Sequence, residues 1–183
     1  MKKLLKQIQE RFAAGERLKY LFFWGHTPGH GQMVGPFIFS QWYPAKITVN
    51  GLEYQTAEHW MMAEKARLFG DSEIEGKILN ATTPGHAKDL GRQVKSFDNQ
   101  KWLDKRYEIV KAGTYHKFNS HPDMKEFLLS TADRVLVEAS PVDNIWGIGM
   151  AKDHPDAENP LKWKGENLLG FALMEVREQL DKQ

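Results

Sequence analysis

The chain has 183 residues, 41% of them hydrophobic and 27% charged, with a net charge of +1 and no cysteine. That is enough for one domain with a real core. The charge balance gives no global field for nucleic acid or an anionic membrane, although a local basic groove stays open. The lack of cysteine excludes disulfides, thiolate nucleophiles and Cys-ligated metal.

No apolar run reaches the ~18 residues of a membrane span, and the basic start lacks the apolar segment of a signal peptide, so the expectation is a cytoplasmic protein. In chain order, Leu4, Leu5, Ile8 and Phe12 mark an amphipathic helix stopping near Gly15, an extension over residues 1–18 of a single domain. Lys19 to Trp24 reads as a strand. The loop from Gly25 to Pro36 carries His26 and His30, too few ligands for a metal site, and is expected to border a pocket. After an aromatic run from Phe37 to Tyr43, Asn50-Gly51 between two β-prone stretches predicts a hairpin.

Thr56 then caps a helix that meets no glycine until Gly70. Glu58, Met61, Met62, Lys65, Leu68 and Phe69 fall within one arc of about 100° on it. Two charges on an apolar stripe suggest that the stripe lines a polar pocket, because burying them costs several kcal/mol unless they are paired. The alternative is a Glu favoured by the helix dipole and a Lys whose stem runs along Leu68 to water. Further helices are expected over Ser72–Leu79, from Thr83-Pro84 towards Val94, from about Gln100 to Phe118, and from His121 to near Ser130. On the Gln100 helix, Trp102, Arg106, Ile109, Val110 and Gly113 share a face, so an arginine interrupts a second apolar stripe. Arg134 to Ala139 reads as a strand and a last helix starts around Glu166. The fold class is α+β, mostly helical with a small antiparallel sheet.

The stretch from Glu138 to Met150 follows the strand with Asp143, Trp146, Gly147 and Gly149. Such glycines let backbone approach a ligand, and a tryptophan offers a face to a planar base. A tight turn built on Asp143 with Trp146 in the core is the other reading. Asn167 stands at a helix start, where free N–H groups can bind a phosphate or where it serves only as a turn residue.

The hairpin leading to Glu58-His59, then Lys65, Leu90-Gly91-Arg92, Trp102, Lys117-Phe118, Leu136-Val137-Glu138, Asp143 and Trp146-Gly147 appear in a fixed order. Gly165-x-Asn167-x-Leu169-Gly170 and Leu173-Met174-x-x-Arg177 complete the set. Together they resemble the YbiA-like, or NADAR, family of N-glycosidases from about Leu21 to Leu180. Two stretches depart from that pattern: Ser40-Gln41-Trp42 stands where members often have Ser-Asn-Phe, and the segment Gly149–Pro160 is longer and more acidic. Both are expected to affect substrate choice more than reaction type.

The resemblance implies cleavage of the C–N bond between a ribose carbon and a nitrogenous base or amine, with the YbiA-like fold. The implied substrate is a small phosphorylated N-riboside, a ribosylamino-pyrimidine phosphate of riboflavin synthesis. The alternatives are ADP-ribosyl-guanine in modified DNA and a non-catalytic nucleotide- or ADP-ribose-binding module. By the same resemblance Glu58, Trp102, Asp143 and Trp146 sit at functional positions, and the catalytic candidates are Glu58, Asp143, Lys65 and Glu138. The substrate-binding candidates are Trp102, Trp146, His59, Arg92, Arg106, Gly147 and Asn167. Lys65 either pairs with Glu58 or a phosphate, or attacks C1 of the sugar to form a Schiff base. No metal, cofactor or membrane enters this expectation, and the oligomeric state stays open.

Overall fold

A computed structural model describes residues 2–183. The chain folds into two compact units: one runs up to Ser40 and resumes over Asp123–Gln183, and the other is the continuous stretch Gln41–Pro122.

The first unit holds α1 (Lys2–Ala13), β1 (Tyr20–Phe23), a 3-10 turn at Pro36–Phe39, α6 (Pro122–Ser130, from Asp123 onward), β4 (Val135–Glu138) and α7 (Leu168–Asp181). β1 pairs with β4 in parallel, from Tyr20 opposite Val135 to Phe23 opposite Glu138. Val135, Leu136 and Val137 are all buried, as expected of a parallel strand covered on both faces. α7 packs on β4, and its predicted stripe of Leu169, Ala172, Leu173, Val176 and Leu180 is buried. Arg177 sits within that apolar contact without strain because its guanidinium donates to Thr131 Oγ1 at 2.7 Å and to the Arg134 carbonyl at 3.0 Å.

The second unit holds the hairpin β2 (Ile47–Val49) and β3 (Leu52–Tyr54), then α2 (Ala57–Leu68), α3 (Ser72–Leu79), α4 (Pro84–Gly91) and α5 (Asn99–Ser120). The hairpin is antiparallel, and Asn50 and Gly51 take φ of 51° and 79°, the left-handed pair that an Asn-Gly turn supplies. α3, α4 and α5 all pack on α2. Every residue of α2 from Ala57 to Ala63 is buried, so it is the unit's central helix. That corrects the expectation of one apolar stripe: a helix enclosed on all sides needs no polar face until it emerges near Lys65. α4 stops at Gly91, short of Val94. The antiparallel sheet foreseen from the sequence is this hairpin, and the parallel pair β1–β4 is a second two-stranded sheet.

Candidate active site

In the second unit, Thr56 caps α2 by accepting from the backbone N–H of His59 at 3.3 Å. The His59 ring is locked from both sides. Its Nε2 donates to the Ala81 carbonyl at 3.1 Å, which leaves Nδ1 to accept the Thr56 hydroxyl at 2.8 Å. Burial lowers its pKa, so the ring is neutral. His59 is 1% exposed, which makes it a strut that fixes the first turn of α2. Glu58, beside it, donates its backbone N–H to the Gln41 carbonyl at 3.0 Å, and its carboxylate is buried at 6% exposure.

Two turns further along α2, Lys65 is half-buried. Gly91 has no side chain, and a Cβ there would collide with Met62. The end of α4 therefore lies directly against α2, and Lys65, one turn beyond Met62, donates from Nζ to the Gly91 carbonyl at 2.7 Å. The same Nζ stands 4.5 Å from the Phe97 ring centre and 5.6 Å from that of Trp102. Burial, and secondarily the charge of Arg92, lowers the Lys65 pKa. Lys65 and Trp102 are thus brought together. Phe97 is a third member that the sequence reading missed. It lies in a loop where no periodicity marks it, yet it is 45% exposed and packs on Phe69 at 5.2 Å.

Arg92 is exposed and pairs with Asp89 at 2.9 Å. Arg106 is buried at 8% exposure on α5, on a face that continues through Val110, Gly113 and Thr114 to Lys117. Gly113 is needed there because Trp60 lies where its Cβ would be, with the indole N–H donating to the Ile109 carbonyl at 2.9 Å. Lys117 has no exposed surface; its Nζ faces the Tyr43 ring at 5.6 Å, and burial pushes its pKa down to about 7. Extending the predicted stripe of α5 by one more turn would have found it.

In the first unit, Glu138 ends β4 and its carbonyl accepts the Ile148 N–H at 2.9 Å. Asp143 Oδ1 accepts two backbone N–H groups, of Ile145 and Trp146, each at 2.8 Å. This is the tight turn weighed from the sequence, and it fixes the direction of the carboxylate. Trp146 is partly exposed. A Cβ on Gly147 would lie 2.7 Å from the Glu138 carbonyl and 3.0 Å from that of Asp143, so only glycine lets the two carboxylate-bearing segments meet there.

Asn167 takes a left-handed φ of 53° at the start of α7 and has no exposed surface. Its amide clamps β4, donating to the Leu136 carbonyl at 2.9 Å and accepting the Glu138 N–H at 3.0 Å. It thereby fixes the backbone at the end of β4, where Glu138 stands. His26 and His30 stay on their loop, and among the described residues no group of three or more His, Cys, Asp or Glu could hold a metal ion. No helix of the described residues is long and apolar enough to cross a membrane.

Comparison with known proteins fits this arrangement. The NADAR domain model matches residues 22–181. N-glycosidase R617 of Acanthamoeba polyphaga mimivirus is 42% identical over 88% of this chain and 96% of its own length. Riboflavin biosynthesis protein VVA0006 of Vibrio vulnificus is 31% identical over 87% of this chain, which spans 38% of that longer protein. The NMR structure of the E. coli protein YbiA superimposes with a TM-score of 0.71 at 27% identity, covering 90% of this chain and 86% of that one. N-glycosidases are hydrolases of the bond between a sugar carbon and nitrogen, and this chain is an enzyme of that class. With the match running from β1 to the end of α7, the chain belongs to the NADAR domain family.

Proposed function

We propose that this protein is a cytoplasmic N-glycosidase that hydrolyses a phosphorylated N-riboside of a pyrimidine, a ribosylamino-pyrimidine 5′-phosphate, with Lys65 as the nucleophile. One observation carries the reading. The Lys65 amine is held at 2.7 Å from a backbone carbonyl, beside the Trp102 and Phe97 faces, with its pKa lowered by burial. A half-buried amine with reduced affinity for protons is neutral more often than a free lysine, and the neutral form is the one that attacks carbon. The related riboflavin biosynthesis protein supports the pyrimidine substrate.

The Lys65 amine adds to C1 as the C–N bond to the base breaks, the base leaving with the bonding pair and taking a proton from an acid. The sugar ring then opens to an imine, and water hydrolyses it to release ribose phosphate and restore the amine. Positive charge grows on the sugar carbon in the first step, as in glycoside hydrolysis, and a nearby carboxylate stabilises it. Glu58, on the same helix as Lys65, is the candidate for this role and for proton transfer, which contributes typically about 10²–10⁴-fold. Stacking on Trp102 holds the base, and Arg92 and Arg106 are assigned to the phosphate.

Mass spectrometry of a reaction with ribosylamino-pyrimidine 5′-phosphate should show ribose 5-phosphate. Borohydride during turnover should leave a sugar adduct on a peptide containing Lys65, absent from Lys65→Ala. Cleavage without any adduct would replace the lysine by water activated at a carboxylate. No cleavage would remove the substrate assignment.

A further inference from the structure

The segment that opens the second unit, Gln41-Trp42-Tyr43, belongs to no helix or strand, yet each of its side chains reaches a helix of that unit. Gln41 donates from Nε2 to the Thr114 hydroxyl on α5 at 3.4 Å. The Lys88 amine of α4 lies 5.8 Å from the Trp42 ring centre, and the Lys117 amine of α5 lies 5.6 Å from that of Tyr43. Through its backbone the same segment also holds α2. The first N–H groups of a helix have no partner within it. Thr56 accepts those of His59 and Trp60, whereas that of Glu58 goes to the Gln41 carbonyl at 3.0 Å. The backbone of Glu58 is therefore held from outside the helix and its cap.

The Gln41 side chain carries a stability cost. Thr114 has no exposed surface, and its hydroxyl is the described partner of the Gln41 amide nitrogen. The amide oxygen, Oε1, is buried and accepts no hydrogen bond. A buried acceptor without a donor destabilises a fold. Methionine, of similar length and apolar, would avoid that cost, so packing alone does not call for glutamine. The asparagine of the family pattern is one methylene shorter and would not span the same gap to Thr114. The amide is thus matched to Thr114 in this chain.

We propose that Gln41 is a positioning residue for Glu58. Its bond to Thr114 fixes the carbonyl that holds the first turn of α2, and with it the place of the Glu58 carboxylate. This inference rests on the role given to Glu58 in the proposed function.

Two readouts on the full chain test it, one of them without catalysis. In amide hydrogen exchange followed by NMR, Thr114→Val and Gln41→Met should each speed exchange of the Glu58 N–H roughly 2- to 10-fold. The His59 and Trp60 N–H groups, held by Thr56, should exchange as in the parent. In turnover of ribosylamino-pyrimidine 5′-phosphate, both variants should lower kcat roughly 10- to 100-fold, with KM changed by no more than about twofold. Thr114→Ser keeps the hydroxyl and should recover most of the rate. The double variant replaces donor and acceptor by apolar groups of similar shape, so it should melt no lower than the parent and still be slow. That combination separates positioning from stability. Parental exchange at Glu58, parental kcat in Thr114→Val, or a rate that only follows the melting temperature would overturn the proposal. A parent that cleaves no riboside would remove the proposed function, and the exchange contrast between Glu58 and His59 would then decide alone whether Gln41 holds Glu58.

Discussion

The two units hold their polar groups in contrasting ways. Around α2, a side chain is presented: Lys65 has one backbone carbonyl and two ring faces, and its amine stays close to an exposed aromatic. At the β4–α7 junction, side chains are committed to the backbone: Asp143 holds a turn and Asn167 clamps a strand, with glycine allowing the close approach. The first arrangement leaves an amine able to react; the second fixes where a carboxylate points. Removing Lys65 should therefore change chemistry, whereas in the second region a substitution should cost stability wherever it removes a bond to the backbone.

The largest expected effect is on turnover. Lys65→Ala should reduce kcat roughly 10³-fold or more while the melting temperature changes little, read by product formation and circular dichroism. Asp143→Asn keeps an acceptor for the Ile145 and Trp146 N–H groups, so it should also melt normally and any loss of rate is chemical. A normal rate in Lys65→Ala would end the contrast between the regions.

Asn167→Ala should be chiefly a stability defect. It leaves the buried Leu136 carbonyl and Glu138 N–H without partners, at about 1–3 kcal/mol each. Chemical denaturation should show the loss, and the folded fraction that remains should retain Lys65 trapping by borohydride.

Lys117 predicts a pH dependence of stability. Its folded pKa of about 7 lies below the unfolded value near 10.5, so between those values the unfolded chain binds more protons. Stability then rises with pH across that window, and the destabilisation is complete below pH 7. The gain from pH 7 to 9 is on the order of 2 kcal/mol, measurable in urea midpoints. A flat or falling curve would mean the amine stays charged in the fold.

The smallest effects should refine the Lys65 environment. Phe97→Leu keeps the bulk and removes a ring face worth about 0.5–1 kcal/mol to an ammonium. Its acid limb in the pH–rate profile should shift to lower pH by roughly half a unit. Arg92→Gln removes a repelling positive charge and should shift the limb the opposite way. Equal shifts in one direction would contradict the cage drawn around Lys65.

What the sequence displayed was mostly local. Asn50-Gly51, the Thr56 and Asp98 caps and the β-branched run at Val135 act within a few residues, and the elements appear where those signals stand. The parallel partner of β4 was hidden because pairing depends on segments separated by the whole second unit. The pairing of Glu58 and Lys65 on one stripe assumed a half-exposed helix, whereas α2 is enclosed. Lys65 and Trp102 nevertheless lie together, since Gly91 brings the end of α4 against α2. Phe97 and Lys117 went unassigned, one for lack of periodicity and the other because the stripe on α5 was stopped a turn early.

The parallel register of β1 and β4 also bears on how the protein is made. Strand β1 emerges early in synthesis and has no sheet partner until β4 follows the entire second unit. The continuous stretch Gln41–Pro122, rich in neighbouring helices, can organise first, while closing the discontinuous unit is a long-range and slower event. During that interval the aromatic edge at Tyr20–Phe23 is a ready substrate for chaperones.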